Sequence, residues 1–162
     1  MYLGEYSTSL DDKGRVIMPR RFRETMNVLG HAVWYMTRGF DRSIFLFHHE
    51  EWQKIRTQAA KYSSMNAKAL DFRRMFFGSV AEVKPDAQGR MQIPAHLREF
   101  AGLEKEAVLI GVDDHLELWG KEQWRAFQEQ NEATYKEMAT QLFMGHEDAV
   151  GAAAEGGSED AN

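Results

Sequence analysis

The 162-residue sequence contains no cysteine. That excludes a disulfide scaffold and any metal site built on thiolates. It also lacks a long apolar run, since nothing approaches the ~20 residues of a membrane-spanning helix. The start, Met1-Tyr2-Leu3-Gly4-Glu5, has no basic segment followed by an apolar stretch. The expected location is therefore the cytoplasm. Catalytic signatures are missing too: there is no Gly-x-Ser-x-Gly, no phosphate-binding glycine loop and no His-Glu-x-x-His. Positive charge is scarce overall. With 20 Lys+Arg against 25 Asp+Glu the formal charge is -5, which taken alone argues against nucleic acid as a partner. Apolar material is not lacking. A hydrophobic fraction of 43%, with 12% aromatic residues, excludes wholesale disorder. A chain of this length can bury one ordinary core or two small ones.

The charge is unevenly spread. Five acids and no base lie between Glu147 and Asn162, so the rest of the chain is neutral. That tail is otherwise mostly Gly and Ala, too poor in apolar surface to offset the entropy of ordering, and 146–162 is expected to be disordered. The densest basic run is Lys13, Arg15, Arg20, Arg21 and Arg23, with no acid from Lys13 to Arg23. Residues 79–146, in contrast, carry an excess of acids.

An internal repeat organises the chain. Asp11, Gly14, Arg15, Pro19, Arg23 and Glu24 recur as Asp86, Gly89, Arg90, Pro94, Arg98 and Glu99, all at an offset of 75. Ala32-Val33-Trp34-Tyr35 then matches Ala107-Val108-Leu109-Ile110, and Ile44–Phe47 matches Leu116–Trp119 after a three-residue difference in the intervening turn. Each copy reads as strand, turn, strand, short helix, then a second hairpin. Asp-x-x-Gly is a tight-turn signal: Gly14 and Gly89 supply a positive φ, and Asp11 and Asp86 can accept from the turn's N–H groups. Pro19 and Pro94 suit the first position of a helix. A helix is expected to close each copy, carrying Trp52, Ile55, Ala59 and Tyr62 in the first and Trp124, Phe127, Tyr135, Met138 and Leu142 in the second. Between the copies, Asn66 is placed to cap a connecting helix ending near Phe77. The expected divisions are 1–62, 63–78, 79–145 and the tail.

The doubled Asp-x-x-Gly-Arg-x-x-x-Pro-x-x-x-Arg signature resembles the SpoVT/AbrB swapped-hairpin domain. Two such units in one chain look like the MraZ family of bacterial transcriptional regulators, over residues 1 to about 145. The resemblance implies an α+β fold with a mainly β core, in which tandem swapped-hairpin units form a pseudo-dimeric double-split β barrel with flanking helices. It implies subunits assembled into a closed ring. It also implies a nucleoid-associated repressor that binds short repeated boxes in double-stranded DNA, upstream of the division and cell-wall gene cluster containing its own gene. Arg15 is the position it most readily marks as a DNA contact.

The residues themselves add a second line of reasoning. Copy one has Lys13, Arg20, Arg21 and Arg23 where copy two has Gln88, Ala95, His96 and Arg98. A duplicated fold does not demand those charges, so the asymmetry points to DNA contact by Lys13, Arg15, Arg20, Arg21 and Arg23, with Arg38, Arg42 and Arg90 as weaker candidates. Arg90 reads first as structural, and Arg23 and Arg98 can equally pack inward. Arg suits the task because its fork matches phosphate and the guanine O6/N7 edge. His48 and His49, beside Glu50 and Glu51, read as a helix N-terminal surface rather than a metal site, and His115 and His146 as isolated. No cofactor, metal or small-molecule substrate is expected. The rival reading is a protein-interaction ring without sequence-specific DNA binding; a hydrolase with an unrecognised site is remote.

Overall fold

The computed structural model describes residues 1–62 and 65–144. The expected disordered tail and His146 lie outside that range. The chain divides into two units, Met1–Trp124 and Arg125–Asn162, and the strands of both repeats fall in the first.

Copy one runs β1 (Tyr2–Ser9), β2 (Arg15–Ile17), α1 (Arg20–Leu29), β3 (Trp34–Arg38), β4 (Ile44–His48) and α2 (His49–Ala60). The connecting helix α3 (Ala67–Gly78) starts as expected, with the Asn66 side chain accepting from the N–H of Ala69 at 3.1 Å. Copy two repeats the order as β5 (Ala81–Val83), β6 (Arg90–Gln92), α4 (Ala95–Ala101), β7 (Glu106–Asp113), β8 (Leu116–Gly120) and α5 (Lys121–Asn131).

The strands pair between copies more than within them. Six form an antiparallel sheet in the order β1-β7-β8-β4-β3-β5, and β2 pairs with β6 as a separate ribbon. The first strand of each copy thus lies along the third strand of the other: β1 on β7, β5 on β3. The pairing respects a twofold relation, because in the ribbon Val16 faces its own counterpart Met91.

This corrects one local expectation. Asp-x-x-Gly does make a tight turn, but β1 and β2 do not continue as a hairpin. An isolated bridge, Leu10 with Val16, and a bond from Thr8 Oγ1 to the Ile17 carbonyl at 3.0 Å join them before they diverge to partners in the other copy. A three-residue strand that buries one side chain has little to hold it alone. Paired with its twin, it sets Val16 against Met91, and both are fully buried. The prolines shift by one place: Pro19 and Pro94 are N-cap residues with ψ of 144° and 142°, not the first helical residues.

One core serves both copies. Matched positions Val16/Met91, Met18/Ile93, Phe22/Leu97, Trp34/Leu109, Ile44/Leu116 and Leu46/Leu118 all lie in the same buried cluster. At about 1.5–3 kcal/mol per buried large apolar side chain, neither copy's half would suffice alone. A second cluster, Phe47, Trp52 and Phe76, joins α2 and α3 to the sheet.

The second closing helix differs from expectation. It is interrupted after α5 by a 3-10 turn, Glu132–Thr134, before helix resumes over 135–144. Asn131 Nδ2 donates to the Phe127 carbonyl at 2.8 Å and Thr134 Oγ1 to the Asn131 carbonyl at 3.2 Å, local bonds that compete with the helical ladder. Tyr135, Met138 and Leu142, expected to close the unit, are exposed. No helix among the described residues is long and apolar enough to cross a membrane.

Candidate nucleic-acid interface

The two signature turns are built alike. Asp11 Oδ1 accepts the N–H of Lys13 at 3.0 Å and of Arg15 at 2.9 Å, while Oδ2 accepts Arg15 Nε at 2.7 Å. Asp86 repeats this with Gln88 at 2.9 Å, Arg90 at 2.9 Å and Arg90 Nε at 2.7 Å. These donors, with the backbone N–H of the arginine foremost, hold both carboxyls below their ordinary pKa of 3.8. Gly14 and Gly89 have φ of +73° and +77°, as the turn chemistry requires.

Each turn is closed by an arginine from the other copy. Arg98 on α4 lies over Gly14 and donates to the Lys13 carbonyl at 3.5 Å. Arg23 on α1 lies over Gly89 and donates to the Gln88 carbonyl at 3.4 Å. A Cβ at either glycine would collide with that arginine. The inward packing open to Arg23 and Arg98 in the sequence is therefore what the fold adopts, and its target is the opposite turn.

The exchange divides the basic run. Lys13 and Arg15 stay with turn one, whose groove of about 760 Å³ is lined by Asp11, Asp12, Glu99 and Glu104 together with Arg98 and Lys105. Arg20 and Arg23 line a different groove of about 490 Å³ beside turn two, with Glu24, Asp86, Ala87 and Gly89. A stretch contiguous in sequence thus faces two places. Arg20 is paired to Glu24 at 2.8 Å, both exposed, whereas Lys13 and Arg21 are exposed and form no ion pair among the described residues.

The ribbon joins the turns. Val16 and Met91 point inward, so Arg15, Ile17, Arg90 and Gln92 share its outer face. Arg15 and Arg90 are each tethered to their aspartate through Nε, and their side chains retain 24% and 31% exposure. The copies differ beside them. Gln92 reaches back to the Lys13 carbonyl at 2.8 Å, whereas its counterpart Ile17 is 52% exposed.

Two of the weaker candidates, Arg38 and Arg42, make contacts with Phe100. Arg38 stacks on the Phe100 ring at 4.8 Å, and Arg42 Nε donates to the Phe100 carbonyl at 3.3 Å. His115 also departs from the sequence reading. It is not isolated: it bonds Asp114 at 2.6 Å and Glu117 at 3.3 Å. Burial pulls its pKa down, but those two acids outweigh it, and the net shift is upward. His48 and His49 diverge, His48 stacking on His31 and His49 lying 3.4 Å from the Tyr35 hydroxyl. His31 was missed because nothing in linear spacing joins it to a residue 17 positions on.

Known proteins carry the same pattern across both copies. The family model described as "MraZ protein, putative antitoxin-like" matches residues 1–75 and again 76–144. A protein named Transcriptional regulator MraZ from Heliobacterium modesticaldum is 39% identical over 143 residues, covering 88% of this chain and 97% of that protein. Its namesake from Syntrophomonas wolfei is 39% identical over 142 residues, covering 88% of this chain and 96% of its own length. With both repeats matched and the relatives aligned almost end to end, the chain belongs to the MraZ family.

Proposed function

We propose that this chain is a sequence-specific DNA-binding transcriptional regulator that reads short repeated promoter boxes as a closed-ring homo-oligomer. It represses the division and cell-wall gene cluster that contains its own gene, and it works in the cytoplasm at the nucleoid. The names of its relatives support the regulatory role. The observation that carries the DNA reading is the β2/β6 ribbon with an outward arginine on each strand, because a two-stranded ribbon fits the major groove of B-DNA. Asp11 fixes Arg15 through Nε and leaves the Nη edge for guanine or phosphate. Lys13, Arg20 and Arg21 supply phosphate contacts alongside it. Arg23 acts through turn two, which it holds, and Arg90 is the weaker contact of the pair.

The sheet is read as closing into a double-split barrel, with the equivalent strands β1 and β5 at its two edges. Exposed Tyr62, Met65, Phe72 and Met75 offer apolar surface for ring contacts. One subunit makes few phosphate contacts, so tight binding needs several subunits engaging spaced boxes at once. Gel shifts on the chain's own upstream DNA test this. Repeated boxes should compete far better than scrambled ones, and log affinity should fall with log salt by about 0.9 per phosphate contact. Sequence-blind binding would instead favour the protein-interaction ring.

A further inference from the structure

We propose that His31, His48 and Glu50 form a binding site for one divalent transition-metal ion of the zinc class. The three side chains come from the loop after α1, the end of β4 and the first turn of α2, and one ligand atom from each lies within 4.8 Å of the others. His31 Nε2 and His48 Nδ1 both lie 3.1 Å from the same carboxylate oxygen of Glu50. Ligand atoms around tetrahedral zinc, at bond lengths of about 2.0–2.2 Å, sit roughly 3.3–3.5 Å apart. Two edges of the triangle are thus already near the size a zinc ion demands.

Hydrogen bonding alone leaves the cluster unsatisfied. His48 Nδ1 is buried and lies 3.1 Å from Glu50 Oε2 without a well-aligned hydrogen bond to it. The His31 and His48 rings are stacked at 3.9 Å and 8°, which holds both imidazoles beside the one carboxylate. A shared cation would be held by both imidazoles and by the Glu50 carboxylate, whose charge it offsets. The Tyr2 hydroxyl lies 2.6 Å from His31 Nδ1 and fixes the ring from behind, as outer partners of metal-bound histidines do. Glu50 is 66% exposed, so the remaining coordination position opens to solvent.

The duplicated fold does not require this cluster. At the matched positions copy two has Glu106 for His31, Gly120 for His48 and Glu122 for Glu50. A chelator-stripped full chain titrated with Co²⁺, then Zn²⁺, tests the site. One saturable equivalent of Co²⁺ with visible ligand-field bands is expected, displaced by Zn²⁺, together with a zinc-dependent rise in melting temperature. His31→Gln, His48→Gln and Glu50→Gln should each weaken binding at least tenfold, and Tyr2→Phe about tenfold. His49→Gln and His115→Gln should leave it unchanged. If the buried histidine variants fail to fold, Glu50→Gln at the exposed position decides. Absence of saturable binding, or equal affinity in Glu50→Gln, overturns the proposal.

Discussion

The two Asp-x-x-Gly-Arg turns have the same internal bonds, yet they stand in different surroundings. Turn one carries Lys13 and is overlaid by α4, in a groove where acids outnumber bases. Turn two carries Gln88 and is overlaid by α1, with Arg20 and Arg23 against it. The bonds that recur answer to the fold: a carboxylate accepting two turn N–H groups and one guanidinium makes the same turn anywhere. The features that differ, including Lys13 against Gln88 and Arg20 against Ala95, are free of that demand and available to function.

The comparison can be broken first at the shared core. Phe22→Ala should cost about 3–5 kcal/mol and Leu97→Ala about 2–5 kcal/mol. Because both side chains lie in one cluster, either loss should appear as a single cooperative urea transition of the Met1–Trp124 unit rather than melting of one copy. Two separate transitions would contradict the interlocked core.

Next in size are the turn glycines. Alanine at a left-handed φ costs roughly 1–2 kcal/mol at either site. Gly14→Ala meets the mobile tip of Arg98, but Gly89→Ala meets the mid-chain Cδ of Arg23, which cannot swing away as easily. Gly89→Ala should therefore be the more destabilising of the two, measured by denaturant midpoint. The reverse order would mean that the arginines do not seal the turns as described.

A smaller effect concerns pH. Asp11 and Asp86 have folded pKa values below the ordinary 3.8, so their contribution is fully present above about pH 4 and is lost as pH falls through the folded values. Asp11→Asn and Asp86→Asn should each flatten the acid limb of a stability-against-pH curve, and to similar degrees.

Much of this was legible in the sequence because it is local. The repeat, the turns and the Asn66 cap follow from residue type and spacing. The long-range placements were not legible in the residues themselves, and only the family resemblance implied an exchange between the copies. Nothing in Lys13–Arg23 announces that the run is cut by strand exchange, since a hairpin signal specifies the turn and not the partner of each strand. The charge asymmetry was visible, but its division between two grooves depends on α1 crossing to turn two. The His31–His48 stack is likewise tertiary. The break after α5 has a local cause, Asn131 and Thr134, but apolar spacing across 124–142 reads as continuous.

The most direct test of the claim that two equal turns do unequal work compares Arg15→Ala with Arg90→Ala on the chain's own upstream DNA. Denaturant midpoints should shift alike, since each arginine makes the same pair with its aspartate. DNA affinity should not: loss of a guanine contact is worth about 1–3 kcal/mol, so Arg15→Ala should bind the repeated boxes about 5- to 150-fold more weakly, with Arg90→Ala much nearer the parent. Equal losses from the two variants, or undiminished binding by Arg15→Ala, would contradict the account.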